Sequence, residues 1–494
     1  MVKKARINKA LDRDLKTRTF FEKAAKETKQ QFLAPSLGLA FIVLAGLSVS
    51  LILGWNSESV IIIAAAAIGA YMALNIGAND VANNVGPAVG SNALSMFGAL
   101  IIAAIFESAG ALIAGGDVVG TISKGIIDPS FVSDPSTFVW AMFAALLSAA
   151  IWINLATWLG APVSTTHSIV GGVVGAGLAA AGMAAVNWPK MGQIAASWVI
   201  SPVLGALIAA LFLWFIKSQV SDQNDKIRAA RRWVPLLIAI MAGAFATYLS
   251  LKGVKKVIKI DLQMALFIGL ATLGICYFIV HPLIRKQSEG MDNTKKSVRT
   301  LFKIPLVFAA ALLSFAHGAN DVANAVGPLA AIVHTVGEGE VVSKVSIPIW
   351  VMAIGAFGLS FGLLLFGPKL IRRVGEQITK LNPLRAYCVA LSAAITVIIA
   401  SWLALPVSST HIALGAIFGV GFFREFHWRL TSSSKEIIAL KEQEENKAKS
   451  EKRVYRKLVR RSHFLTIIAA WVITVPAAAI LSGFLFIILD SILY

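Results

Sequence analysis

Hydrophobic positions in this chain run in long, nearly uncharged stretches instead of alternating with the period of a strand or a surface helix. Thirteen can be marked: Pro35–Gly54, Val60–Ala78, Met96–Ala114, Phe138–Trp158, Val163–Ala181, Ile194–Ile216, Val234–Leu251, Leu262–Ile284, Ile304–Ile332, Ile347–Phe366, Arg385–Leu403, Val407–Phe422 and Phe464–Leu489. Most approach the ~20 residues that carry a helix across a bilayer. The pattern therefore predicts an all-α polytopic membrane protein with twelve or thirteen transmembrane segments. The stretches that begin at Val163 and Val407 are short and rich in glycine, which predicts paired half-helices that do not fully span.

The polar stretches between them carry a second pattern. If the basic N-terminal tail is cytoplasmic, crossing at every segment returns residues 217–232, 285–303, 369–385 and 424–461 to the cytoplasm, and all four are basic or densely charged. The stretches left outside, 56–59, 115–137, 187–189 and 334–346, are poor in Lys and Arg, as the positive-inside rule expects. Residues 252–259, with four lysines on the outer side, are the exception. Residues 424–461, rich in Lys and Glu, read as a solvated cytoplasmic helix or linker.

Composition agrees with this reading. Of 494 residues, 57% are hydrophobic and 14% charged, against about 25% charged in soluble domains. The formal charge of +19 sits in the tail before Phe32 and in the short loops, so it reflects membrane orientation and not nucleic-acid binding. Cys276 and Cys388 lie in separate apolar stretches and give neither metal spacing nor a disulfide framework. The tail stays polar for about 30 residues, too far for the apolar core of a cleavable signal peptide. The expected location is the plasma or inner membrane, multi-pass, with a cytoplasmic N-terminus.

Two repeats change the picture. Gly-Ala-Asn-Asp-Val-Ala-Asn-x-Val-Gly-Pro occurs at Gly77–Pro87 and at Gly318–Pro328, with ten of eleven positions identical. The first copy runs outside to inside and the second inside to outside, so the duplication is inverted. The expected division is a tail (1–33), an extra N-terminal helix (34–58), a first repeat (59–216), two connecting helices (217–303) and a second repeat (304–494). Inverted repeats with broken helices are a transporter architecture, with the site at mid-depth where the halves meet.

An Asp at membrane depth is costly and by default functional. Gly77, Gly86 and Pro87 are expected to interrupt the helix and free backbone carbonyls. Asn79, Asp80 and Asn83, with Asn320, Asp321 and Asn324, then supply hard oxygen ligands suited to alkali or alkaline-earth cations, Asp80 and Asp321 foremost. Ordinary capping inside a bundle core explains one copy as well as a site does. It explains two inverted copies poorly.

The second repeat reads Trp-Leu-Gly-Ala-Pro-Val-Ser-Thr-Thr-His at Trp158–His167 and Trp-Leu-Ala-Leu-Pro-Val-Ser-Ser-Thr-His at Trp402–His411. Proline before a run of hydroxyls marks a helix start. Ser164, Thr165 and Thr166, with Ser408, Ser409 and Thr410, would surround two helix N-termini that suit a tetrahedral oxyanion. No Lys or Arg lies in either motif. Two aspartates and a monovalent phosphate sum to about −3, against about +1 from two helix ends, so co-bound cations or protonated aspartates are required. Both Na⁺ and H⁺ satisfy that balance.

Glu107 has no acidic counterpart in the second half. Gating, proton transfer, a cation site and a structural hydrogen bond suit it about equally. His167, His411 and His317 fit packing or capping as well as titration. No nucleophile–base pair or metal triad supports an enzyme.

These signatures resemble the inorganic phosphate transporter family, the PiT or solute-carrier-20 type, over about Val60 to Leu489. The resemblance implies symport of inorganic phosphate with Na⁺ or H⁺, in some members as a metal–phosphate complex, and no resident cofactor. It would carry the family's substrate and ion roles onto the Asn, Asp, Ser and Thr residues already named. Many bacterial proton-coupled members have Gly-Phe-His-Asp in place of Gly-Ala-Asn-Asp, so the Asn form found here tilts the expectation towards Na⁺. Sulfate-carrying relatives, a non-transporting sensor or channel, and a homo-oligomer remain alternatives.

Overall fold

The computed structural model describes residues 32–128, 131–132, 134–159, 161, 163–253, 260–339, 347–375, 381–442 and 461–493. Most of the tail, Pro162, three of the four outer lysines and residues 443–460 of the charged linker fall outside this set. The described chain is almost wholly helical, and its β structure is an isolated bridge between Ile127 and Val186.

Helix α1 (Phe32–Leu53) precedes α2 (Ser57–Asn84), α3 (Gly86–Gly90), α4 (Met96–Ala114), α5 (Gly116–Lys124) and α6 (Pro135–Leu159). Then come α7 (Thr165–Ala181), α8 (Trp188–Ile216), α9 (Lys226–Lys252), α10 (Leu262–Gln287) and α11 (Lys295–Leu301). The remaining helices are α12 (Lys303–Asp321), α13 (Ala323–Glu338), α14 (Ile349–Gly375), α15 (Pro383–Trp402), α16 (Ser409–Glu442) and α17 (Arg461–Leu493). Every predicted apolar stretch coincides with a helix, and among the described residues eleven helical segments are long and apolar enough to cross a membrane.

Burial sorts them. The most apolar part of Lys303–Glu338 is 89% buried, whereas that of α10 is 17% buried. Segments carrying the Asp motifs thus form the centre, and α9 pairs with α10 at the periphery. The exposed surface of α10 carries Phe267, Leu270, Ile275, Phe278 and Leu283, a side suited to lipid and not to water.

The two halves pack reciprocally. Helix α2 crosses α14 as α12 crosses α4, and α7 packs on α17 as α16 packs on α8. Ser108 on α4 and Ser360 on α14 meet with their Oγ atoms 2.6 Å apart, and each also reaches a carbonyl of the opposite helix, Ala356 and Ala104. These bonds tie α4 to α14 at their crossing.

Two expectations need correction. Gly77 and Gly318 do not interrupt their helices; the breaks fall later, at Val85 and Val322, beyond each Asp. A β-carbon on Gly77 would run into the Leu359 carbonyl, and one on Gly318 into that of Glu107. These glycines therefore permit backbone-to-backbone crossing and serve packing, not helix breaking. The half-helices are also unequal. Helix α7 has 17 residues, but α16 has 34 and runs on through residues 424–442, so the first part of the expected linker continues a core helix.

The connecting stretches bear on the charge pattern. Asp222 pairs with Lys295 at 2.7 Å, and Asn293 bonds the backbone at Asn224 and Lys226, which puts residues 217–232 and 285–303 at one end of the bundle. Lys252, the first of the anomalous lysines, pairs with Asp117 from the 115–137 stretch. Both belong to the opposite end, as the crossing pattern requires.

Candidate functional site

The elements that position the site follow from the second repeat. Ser164 accepts the His167 backbone N–H at 3.1 Å, and Ser408 accepts that of His411 at 3.3 Å, so each serine caps its helix. Capping engages these two hydroxyls locally. It leaves Thr165, Thr166, Ser409 and Thr410 in the first turns of α7 and α16, where they turn towards the ends of α2 and α12.

All four hydroxyls are engaged there. Thr165 donates to Asp80 Oδ2 at 3.0 Å and Thr410 to Asp80 Oδ1 at 2.8 Å. Ser409 donates to Asp321 Oδ2 at 2.9 Å, and Thr166 to the Val407 carbonyl at 2.9 Å. Each half therefore lends a hydroxyl to Asp80, and the expected anion and cation sets are directly bonded to one another.

The asparagines tie this network to the scaffold. Asn83 donates to Thr410 at 2.9 Å, and Asn324 donates to Thr166 at 3.1 Å and Thr165 at 3.3 Å. Asn79 donates to Thr157 and Asn320 to Ser401, at 2.9 and 3.0 Å, which are equivalent bonds in the two halves. Asn320 Oδ1 also accepts from the Val407 N–H at 3.3 Å. Every one of these side chains except those of Asn83 and Thr157 is buried.

Sequence reasoning undervalued one residue. His317, one turn before Asp321, lies wholly buried between the carboxylates, with Nε2 2.9 Å from Asp321 Oδ2 and 3.5 Å from Asp80 Oδ2. Its Nδ1 is 3.2 Å from Glu107 Oε1, an oxygen that also accepts from Asn84 Nδ2 at 2.7 Å. Ligating atoms of Asp80, His317 and Asp321 lie within 4.8 Å of one another. Beside the expected oxygen donors, His317 thus places both imidazole nitrogens among three carboxylates.

Several buried oxygens here accept no hydrogen bond among the described residues: Asp321 Oδ1, Asn79 Oδ1, Asn324 Oδ1, Asn84 Oδ1 and Glu107 Oε2. Buried acceptors are normally satisfied, so a group of orphans beside two carboxylates suits a small hard cation. His167 and His411 stand apart from this group. Their rings meet edge to face with centroids 4.5 Å apart, and His167 packs on Trp198. That is the packing role held open for them.

Membrane-length helices around a buried, carboxylate- and hydroxyl-rich centre define a multi-pass membrane protein. A family model described as the phosphate transporter family matches residues 76–482, and the chain belongs to that family. A candidate phosphate permease of Helicobacter pylori (strain J99 / ATCC 700824) is 45% identical, over 96% of this chain and 98% of its own. A candidate phosphate permease of Pyrococcus abyssi (strain GE5 / Orsay) is 38% identical, over 85% of this chain and 96% of its own. A solved structure titled "The sodium-dependent phosphate transporter" superposes with a TM-score of 0.78 at 35% identity, covering 88% of this chain and all of that one.

Proposed function

We propose that this chain is a Na⁺-coupled symporter of inorganic phosphate, built from two inverted repeats, with the cation held at Asp80 and Asp321 and phosphate at the α7 and α16 N-termini. The observation that carries the reading is that Asp80 and Asp321 accept hydroxyl protons from the helix ends that would receive the anion. The matching structure titled as a sodium-dependent phosphate transporter supports both the anion and the cation.

Coupling follows from that bonding. A hydroxyl has one proton to donate. While Thr165, Ser409 and Thr410 donate to bare carboxylates, none can donate to phosphate, and the carboxylates repel it. A Na⁺ on Asp80 and Asp321 offsets their charge and supplies the contact that the hydroxyl protons gave, so the hydroxyls turn to the anion. The cation binds first and the phosphate second, and neither crosses alone. Asn79 and Asn324, with orphan oxygens, complete the cation shell. Glu107 holds His317 against the pair, where a proton on the ring offsets part of their charge.

His317 favours a second reading, H⁺ coupling, because a titratable ring touches all three acids. Phosphate binding to the purified protein separates the two. Under the Na⁺ reading, affinity rises at least ~10-fold between Na⁺-free and Na⁺-saturated buffer, the scale of one charge-assisted hydrogen bond regained. An affinity indifferent to Na⁺ and responsive to pH would transfer the assignment to protons.

A further inference from the structure

Away from the central site, four basic residues lie on elements that pack together at the end of the bundle formed by residues 217–232 and 285–303. Lys217 lies where α8 passes into a single π-helical turn, Lys217–Ser221, and Arg299 lies on α11. Arg385 is in the first turn of α15, and Arg424 is on α16. Helices α8, α11, α15 and α16 hold them together, since α8 packs on α15 and α16, and α11 packs on α15. The charges of Lys217, Arg385 and Arg424 act on one another, and Arg299 acts on both of the other arginines. All but Arg299 are partly buried.

This group is not neutralised among the described residues. Asp222 acts on Lys217 and is already bonded to Lys295. No described carboxylate forms an ion pair with Arg299, Arg385 or Arg424. Arg385 also sits at the positive end of the α15 dipole, where a cation is disfavoured and an anion favoured. Like charges drawn from four elements and partly withdrawn from water repel one another unless an anion joins them. Three arginines supply planar forks that match the oxygens of phosphate.

We propose that Lys217, Arg299, Arg385 and Arg424 form a binding site for a phosphate-type oxyanion, separate from the Asp80–Asp321 centre. The separation is large: Arg385 and the site-bonded Ser401 are sixteen residues apart on α15, about 24 Å along the axis. Two sources offer that chemistry, free inorganic phosphate and the headgroup of an anionic lipid. A free phosphate held here would raise the local substrate concentration at one mouth of the transporter. A headgroup would instead fix the bundle end against the membrane surface.

The test uses the full chain with Ser409→Ala and Thr410→Ala introduced, so that the central site contributes little to binding. In nanodiscs of zwitterionic lipid, equilibrium binding of radiolabelled inorganic phosphate is measured without Na⁺. In detergent without phosphate, retention of phosphatidylglycerol is measured by native mass spectrometry. The proposal expects one of these ligands to be retained, and to be retained at least ~10-fold more weakly when Arg385→Gln and Arg424→Gln are added, the scale of a lost charge-assisted bond. Arg385→Lys with Arg424→Lys keeps the charge and retains most of the binding, which separates lost recognition from lost folding. Arg299→Gln, at an exposed position, weakens binding without affecting the fold. Equal retention by the Gln variants and the parent, or no retention of either ligand by the parent, would overturn the proposal.

Discussion

The two halves of the site share a frame and differ in their filling. Asn79 and Asn320 bond equivalent hydroxyls on α6 and α15, Gly77 and Gly318 cross equivalent carbonyls, and Ser108 meets Ser360 between the halves. Around the second motif's crossing, however, lies the polar set Asn84, Glu107 and His317. The matching positions at the first crossing are Ala325, Leu359 and Ile76, all buried and apolar. The symmetric part builds the frame and presents one carboxylate from each side. The asymmetric part places a third carboxylate and an imidazole on one side only. A symmetric pair of acids provides a seat for charge, and the asymmetry decides how that charge is balanced.

The largest effects are expected at the carboxylates. Asp80→Asn and Asp321→Asn should each lower coupled phosphate uptake by ~100-fold or more while the protein still inserts, because a desolvated charge contact worth about 3 kcal/mol is lost. Uptake assays on protein verified by size exclusion check this, and near-normal transport in either variant would remove that residue from the site. Next comes the asymmetric set. Glu107→Leu alone leaves His317 and Asn84 buried without their partner and should cost about 3 kcal/mol of stability. Asn84→Ala with Glu107→Leu removes both partners of that bond while His317 keeps Asp321, and should cost less, about 1–2 kcal/mol. Thermal unfolding compares the two, and the double variant should be the more stable.

Gly77→Ala and Gly318→Ala should destabilise by similar amounts, about 1–3 kcal/mol, because each forces apart an equivalent crossing. Unequal losses would show that the halves are less alike than their packing. The smallest effects belong to Ser108→Ala and Ser360→Ala, at about 1 kcal/mol each for one hydrogen bond. Combining them should cost less than their sum, since the two hydroxyls bond each other.

Much of this was legible in the chain. Thirteen apolar stretches mapped onto helices because lipid forces every backbone group to bond within its own segment, which makes the signal local. Asp80, Asp321, Thr165, Ser409 and Thr410 were found from repetition between the copies, and hydrogen bonds join the hydroxyls to the carboxylates. The polar set was harder to see, because Glu107 and His317 lie 210 residues apart and are joined only by the crossing of α4 with α12. One signal pointed to it. Asn84 against Ala325 is the single mismatch between the motif copies, and Asn84 is the residue that holds Glu107. The glycines misled for a physical reason: the same absence of a side chain that weakens a helix also lets two helices touch. The length of α16 was hidden because its apolar run ends near Phe422 while its helix continues to Glu442.

The most direct measurement is phosphate accumulation in proteoliposomes under an imposed inward Na⁺ gradient, repeated with choline in place of Na⁺ at constant pH. The account predicts accumulation above the external concentration with Na⁺, and collapse to passive leak with choline. Equal uptake in the two salts, or equilibration without accumulation, would contradict a cation-first symport built on Asp80 and Asp321.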